Sequence, residues 1–263
     1  MEYVFEPHPP RCLTIVDQER RFPIRRIFCI GRNYAEHARE MGAAPATGHP
    51  FFFQKSPDAV VAQRHADELL TLCYPSATHD LQHEAELVVA IGRGGREIPP
   101  EAALAHIFGY AIGLDMTRRD LQRQFKEKGW PWDMAKNFTD SAPIGLLHPI
   151  EQTGELGRGC ITLSVNGQRR QQGDLEQMIW PVPHMMAELS RLIELAAGDL
   201  LFTGTPAGVG RVVCQDRIRV TLDPLSSLEV TIHDAQGHYA QQERPKPRQA
   251  EIHAHLAGGG PTS

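Results

Sequence analysis

His83-Glu84-Ala85-Glu86-Leu87-Val88-Val89-Ala90-Ile91-Gly92 is the stretch from which the rest of the chain can be read. It alternates at first and then runs apolar, and Gly92, Gly94 and Gly95 supply a turn after it, so a β-strand is expected over residues 84–91. Side chains two apart in a strand share a face, which projects Glu84 and Glu86 together while Ala85 and Leu87 face the other way. Two adjacent carboxylates repel each other. A divalent cation between them relieves that repulsion, and an all-oxygen donor set selects Mg2+, Mn2+ or Ca2+ over zinc or copper. Asp115 closes a second apolar strand, expected over residues 109–114, and is the natural third ligand. The plainer alternative keeps Glu84 and Glu86 on a solvated edge strand and makes Asp115 the cap of the helix that follows.

That helix is expected to run from Asp115 to Lys128 and to stop at Gly129. Asp115, Arg119 and Gln122 then fall at i, i+4 and i+7, one face that can aim a cation and an amide at an anionic ligand beside the metal. Arg118, Arg123 and Lys126 fall off this stripe and are assigned to solvent. Just beyond, Trp130-Pro-Trp132-Asp-Met-Ala-Lys136 sets a lysine in an aromatic, loop-forming segment. Partial burial there would make Lys136 an electrophilic or substrate-binding group, against the ordinary reading of a surface lysine.

Upstream, residues 27–30 form a short apolar strand closed by Gly31, residues 33–41 suit a helix that stops at Gly42, and Phe51-Phe-Phe53 reads as a buried strand. His37 and Glu40 sit three apart on the helix and can meet on one face, where such a pair can orient and deprotonate a water; a surface ion pair is the alternative. Downstream, Asn166-Gly167 between two strand-like runs signals a hairpin. Apolar spacing after Pro183 predicts a helix ending at Gly198, and strands follow at 200–202, 218–222 and 228–232. The loop Thr203-Gly-Thr-Pro-Ala-Gly-Val-Gly210 lacks the residues of a P-loop. It reads as backbone amides and the Thr205 hydroxyl facing a carboxylate, or as a structural turn. Cys29 reads as core, since no activating partner is identifiable.

Strands outnumber helices and do not alternate regularly with them, which predicts an α+β, sheet-dominated fold. Residues 1–25 are expected to form an N-terminal arm, 26–240 the catalytic domain and 241–263 a flexible tail, while the 62–74 segment gives no clear pattern. With 263 residues, 41% of them hydrophobic, the chain can bury a sizeable core. A net charge of -5 with scattered Lys and Arg argues against nucleic acid or an anionic membrane as partner. The first residues lack a secretory pattern and no apolar run reaches the roughly 18 residues of a membrane span, so a cytoplasmic protein is expected. The five cysteines, odd in number and without a C-x-x-C pair, are expected to be reduced thiols.

These motifs together resemble the fumarylacetoacetate hydrolase family, in the correct order from about Arg26 to Ile232. The resemblance is carried by Gly31-Arg-Asn-Tyr-Ala-Glu-His37, His83-Glu-Ala-Glu-Leu87, Gly113-Leu-Asp115-Met-Thr-Arg-Arg-Asp-Leu-Gln122, Ala135-Lys136, Asn166-Gly167 and Gly204-Thr-Pro-Ala-Gly-Val-Gly210. It implies a β-rich mixed sandwich roll, usually a homodimer. It also implies Glu84, Glu86 and Asp115 as Mg2+ or Mn2+ ligands, His37 and Glu40 as a water-activating dyad, and Lys136 and Thr205 as substrate contacts. Phe51-Phe-Phe53, Asp115-Met-Thr-Arg-Arg-Asp120 and Gly129-Trp-Pro-Trp-Asp133 are most similar to the members that cleave fumarylpyruvate in the gentisate route of aromatic breakdown. Two positions depart from the family pattern: Gln82 stands where a second His often precedes the first glutamate, and Ser56 where Pro is common.

The activity implied is carbon-carbon hydrolysis of a 2,4-dioxo acid, fumarylpyruvate to fumarate and pyruvate, with Arg119, Gln122 and Thr205 holding the substrate. Arg32 and Lys55 are the candidates for its distal carboxylate. Acylpyruvate hydrolysis, oxaloacetate decarboxylation and hydroxymuconate-type isomerisation need much the same site. A non-catalytic dicarboxylate- or metal-binding protein is the reading from a different class.

Overall fold

Residues 85–91 form a strand that is buried along its whole length, Ala85–Ile91. In the computed structural model, which describes residues 3–42 and 48–234, it lies near the middle of an eight-stranded mixed sheet. Its neighbours are Asp199–Phe202 on one side and Ile107–Leu114 on the other, both antiparallel. Arg26–Ile30 and Phe52–Lys55 extend the sheet to one edge. Ala142–Ile144 and Val60–Ala62 extend it to the other. Both faces of the central strand are covered, which is why its second half lacks a polar alternation. Leu87, Val89 and Ile91 pack in the cluster that holds Leu163, Val220 and Leu228 of a five-stranded sheet. Val88 and Ala90 pack in a second cluster with Leu13, Phe22 and Phe202. The two-residue period puts Glu84 and Glu86 on the side of Val88, beyond the apolar end of that second cluster.

The five-stranded sheet is built on the hairpin of Cys160–Val165 with Gln168–Asp174, turned by Asn166 and Gly167 at φ 51° and 77°. Both central residues have positive φ, as a type I′ hairpin turn requires. The sheet continues through Arg217–Leu222 and Leu225–His233 to Leu69–Cys73, so the unpatterned 62–74 segment contains its edge strand. Among the described residues helices are few and short, the longest being Arg119–Lys128 and Val182–Leu192. The arrangement is α+β, as strand count and order predict.

Three expectations are corrected. Residues 1–25 are not simply an arm. Cys12–Thr14 and Arg21–Pro23 pair as a two-stranded ribbon, and Leu13, Ile15, Phe22 and Ile24 are buried in the second cluster. The helix expected from Asp115 begins only at Arg119, because Thr117–Arg118 pairs with Leu81–His83 in a three-stranded sheet. Its end at Gly129, left-handed at φ 66°, is where the sequence places it. The helix after Pro183 stops at Leu192, since Ile193 is already extended. The tail expected at 241–263 lies outside the described residues.

Candidate active site and metal centre

Ala85 and Leu114 are register partners, so the ends of two central strands bring Glu84, Glu86 and Asp115 together. The backbone N–H of Asp115 donates to the Glu84 carbonyl at 2.9 Å, which carries the ladder one step past the strand. One carboxylate oxygen from each residue lies within 4.8 Å of the others, and all three side chains are buried. Asp115 is therefore at a strand end and neither caps a helix nor lies on the Arg119–Gln122 face.

Cations surround this triad. Lys136 Nζ donates to Glu84 Oε2 and to Asp115 Oδ2, both at 2.7 Å. Arg119 donates through Nη2 to Glu84 Oε1, through Nε to Gln82 Oε1 at 2.8 Å, and through Nη1 to Gln122 Oε1. Burial alone would raise the Glu84 carboxyl, but Lys136 and Arg119 outweigh it and hold it well below the ordinary range. Burial likewise opposes the Lys136 charge, and Asp115 and Glu84 outweigh it, so the ammonium is raised above its usual value. Glu86 is different. Its one neutral donor is the Gly204 N–H at 2.6 Å, and burial, with Asp115 and Glu84 adding like charge, pushes it well above the carboxylate range.

Two observations test whether a divalent cation fits. Asp115 Oδ1 lies 2.9 Å from Lys55 Nζ, yet no donor is directed at it, and it is a buried polar atom without a hydrogen bond among the described residues. Glu86 is a buried carboxyl that neighbouring protein cations do not neutralise. Three converging carboxylates with this unused capacity fit a hard divalent cation.

The triad opens into a cavity of about 290 Å³ lined by His37, Glu40, Arg119, Gln122, Lys136 and Thr205 among others. His37 and Glu40 come from the helix Ala35–Glu40. His37 Nδ1 is 3.4 Å from Glu40 Oε2, and burial lowers the His37 pKa. Both Glu40 oxygens accept from the Gly208 N–H at 3.1 Å. The glycine-rich loop thus places one N–H on Glu86 and another on Glu40. Gly204 and Gly208 have φ of 87° and 96°, and a Cβ on Gly208 would meet the Arg170 carbonyl oxygen at 2.0 Å.

His37, Glu40, Lys136, Arg119 and Gln122 line one cavity with Glu84 and Glu86, beside which Asp115 lies, while several other expected placements shift. Thr205 lines the cavity, but its hydroxyl is turned to the backbone and an amide rather than to a carboxylate. It donates to the Ala85 carbonyl at 2.8 Å and accepts from Gln171 Nε2 at 2.8 Å. Lys55 is fully buried behind Asp115, so it cannot serve a distal carboxylate. Arg32 does line the cavity, with its guanidinium 5.7 Å from the Phe51 ring centre. Arg123 and Lys126 are exposed, as expected, but at i+4 and i+7 from Arg119 they share its helix face, which corrects their placing off that stripe, and they line the cavity too. Asn33 and Gln171 were not singled out as site residues. Asn33 Nδ2 donates to the Thr203 carbonyl at 2.9 Å and to the Trp180 carbonyl at 3.0 Å, anchoring the start of the loop.

Residues 26–241 match the family described as fumarylacetoacetate (FAA) hydrolase C-terminal. The chain belongs to the fumarylacetoacetate hydrolase family. A crystal structure of fumarylpyruvate hydrolase from Pseudomonas aeruginosa in complex with Mn2+ and pyruvate is 49% identical, with a TM-score of 0.87, covering 89% of this chain and 100% of that one. The human mitochondrial oxaloacetate tautomerase FAHD1 is 40% identical over 204 residues, 78% of this chain and 90% of its own. The mitochondrial oxaloacetate decarboxylase of Dictyostelium discoideum is 38% identical over 188 residues, 72% of this chain and 84% of its own. The fold is that of the fumarylacetoacetate hydrolase C-terminal domain. Family members of known name therefore act on oxo acids by more than one reaction, and the chain is an enzyme of this family.

Proposed function

We propose that the protein hydrolyses a carbon-carbon bond of a 2,4-dioxo diacid, fumarylpyruvate to fumarate and pyruvate, as in the gentisate route. The observation that carries this reading is the cationic side of the cavity. Arg119, Gln122, Arg123 and Lys126 fall along one stripe of a single helix and line it, together with Arg32. Arg119 is tied to Glu84 at the triad, which leaves Arg32, Lys126 and Arg123, the last also paired with Asp80 at 3.0 Å, as the cations that would meet the other end of a long diacid held there. The fumarylpyruvate hydrolase of Pseudomonas aeruginosa supports the same substrate, and its Mn2+ supports Mn2+ or Mg2+ here. Dimerisation and a cytoplasmic setting carry over from the sequence reading as part of this proposal.

Glu84, Glu86 and Asp115 would hold the cation, which when bound would polarise the oxo-acid end and spread the negative charge of the departing group. The protein's own groups do the rest. Arg119 locks the Gln122 carbonyl, so the amide N–H groups of Gln122 are the ones left for a carboxylate. With Nδ1 turned to Glu40, His37 keeps Nε2 for a water in the cavity. The dyad takes a proton from that water as its oxygen attacks the C4 carbonyl. Lys136 steadies the oxyanion. Collapse breaks the C3–C4 bond, fumarate forms on the C4 side, and the pyruvate enolate takes a proton at C3.

Pyruvate release from fumarylpyruvate, maleylpyruvate, acetylpyruvate and oxaloacetate, each with Mn2+ or Mg2+, tests the reading. Fumarylpyruvate should have the highest kcat/KM, and a preference for oxaloacetate would overturn it. A decarboxylase or tautomerase is the second reading, favoured by the names of the human and Dictyostelium discoideum relatives. Decarboxylation needs no attacking water, so a His37→Ala/Glu40→Ala variant that keeps it would support that alternative. Near-normal turnover in Glu84→Ala or Asp115→Ala would remove the metal assignment.

A further inference from the structure

Gln171 is an uncharged side chain on the Gln168–Asp174 strand, outside the sheet that carries the triad, and it is only 1% exposed. All its hydrogen-bonding capacity is directed at the site. Its Oε1 is 3.1 Å from the Ala85 N–H and 3.0 Å from His83 Nδ1. Its Nε2 donates to Thr205 Oγ1 and to the Pro206 carbonyl, each at 2.8 Å. The amide has one possible orientation, because the flipped form would set N–H against N–H at Ala85 and oxygen against oxygen at Pro206. It also fixes His83 as the Nδ1–H tautomer.

These bonds close a ring with the Thr205 hydroxyl, which donates to the Ala85 carbonyl. Ala85 separates Glu84 from Glu86, and its N–H and C=O are thus gripped by Gln171 and Thr205. The grip on Pro206 sets the loop whose Gly204 and Gly208 N–H groups meet Glu86 and Glu40. One buried amide therefore spans the metal-ligand pair and the loop that holds the dyad's carboxylate.

We propose that Gln171 is a positioning residue that sets the spacing of Glu84 and Glu86 for the cation and couples it to the placement of Glu40. The proposal rests on the reading of Glu84, Glu86 and Asp115 as ligands. Glutamate at 171 would turn acceptors toward Thr205 and Pro206, and methionine would leave the Ala85 N–H and the Pro206 carbonyl buried without partners.

The test measures Mn2+ affinity of the metal-free protein by titration calorimetry, alongside kcat and KM at saturating Mn2+. Gln171→Met and Gln171→Glu should bind Mn2+ roughly 10- to 100-fold more weakly, as for other groups that orient metal ligands. At saturation kcat should fall while KM changes little. Thr205→Val, which opens the same ring from the other side, should reproduce the loss, and Thr205→Ser should recover most of it; this pair decides the matter if the Gln171 variants do not fold. A lower melting temperature with unchanged Mn2+ affinity and unchanged saturated kcat would overturn the proposal. Glu84→Gln separates the two ideas. If it loses Mn2+ binding while the Gln171 and Thr205 variants keep it, the positioning role alone fails, and if it too binds Mn2+ normally, the ligand reading fails with it.

Discussion

The ammonium of Lys136 stands 2.7 Å from Glu84 Oε2, with both groups shut away from water. Removing one partner of a buried ion pair leaves the other uncompensated, which costs about 3–5 kcal/mol. Lys136→Met should lower the unfolding free energy of the metal-free protein by about that much, measured in urea with chelator present. Saturating Mn2+ should restore part of the loss, because a divalent cation neutralises the same carboxylates. Turnover should stay abolished with metal present, since the oxyanion partner is gone.

Glu40 should be separable from binding. Glu40→Gln keeps the size of the side chain and an oxygen to accept from the Gly208 N–H, but it cannot take up a proton. The variant should bind Mn2+ and the enolate analogue oxalate with near-normal affinity, read by calorimetry. Its hydrolysis of fumarylpyruvate should fall by roughly 10²- to 10⁴-fold, the usual contribution of a general base. Normal cleavage in this variant would require another base.

Gly208 is held at φ 96°, and an added Cβ would lie 2.0 Å from the Arg170 carbonyl oxygen. Gly208→Ala should push the loop off the Gln168–Asp174 strand and break its hydrogen bond to Glu40. The expected result is a lower kcat with Mn2+ affinity less affected, checked by steady-state kinetics beside metal titration.

Acid should weaken the fold through His148. Burial lowers its pKa, and its Nε2 lies 2.9 Å from the Ser226 N–H, a bond that only the unprotonated nitrogen can accept. An unfolded imidazole takes up its proton near pH 6.5, the folded one only at lower pH. Between those values the unfolded chain binds more protons, so this contribution to stability is whole above about pH 6.5 and is lost as pH falls through the folded value. His37 and His83, also lowered by burial, act with the same sign. Melting temperature should fall from pH 7 to pH 5, and a His148→Gln variant should show a shallower fall.

How much of this was legible differs from residue to residue. Glu84 and Glu86 could be placed on one face because a strand has a fixed period of two, and Asp115 followed from an apolar run that ends in a carboxylate. Gly129 ends its helix by a local conformational rule, and Asn166-Gly167 turns its hairpin by another. Thr117 and Arg118 misled, because their pairing with Gln82 and Leu81 is a distant contact that helix-compatible composition conceals. The Thr205 hydroxyl was rightly brought to the site but wrongly aimed, since its partners Ala85 and Gln171 are remote in sequence. Gln171 itself stands in Gln168-Arg-Arg-Gln-Gln-Gly-Asp174, a run so uniformly polar that no periodicity marks its buried members. Lys55 looked like a free cation until the fold put Asp115 against it.

The N-terminal ribbon has a practical consequence for anyone shortening this protein. The family match begins at Arg26, and a chain trimmed there would look complete. It would nevertheless lose Leu13, Ile15, Phe22 and Ile24, each worth about 1.5 to 3 kcal/mol of burial, from the cluster that also holds Val88, Ala90 and Phe202. Phe22 also packs on Phe108, ring centroids 5.2 Å apart, at the end of the central strands away from the carboxylates. A truncated enzyme would therefore expose a greasy underside on its central sheet, so failure of such a fragment to express or turn over would say nothing about its chemistry.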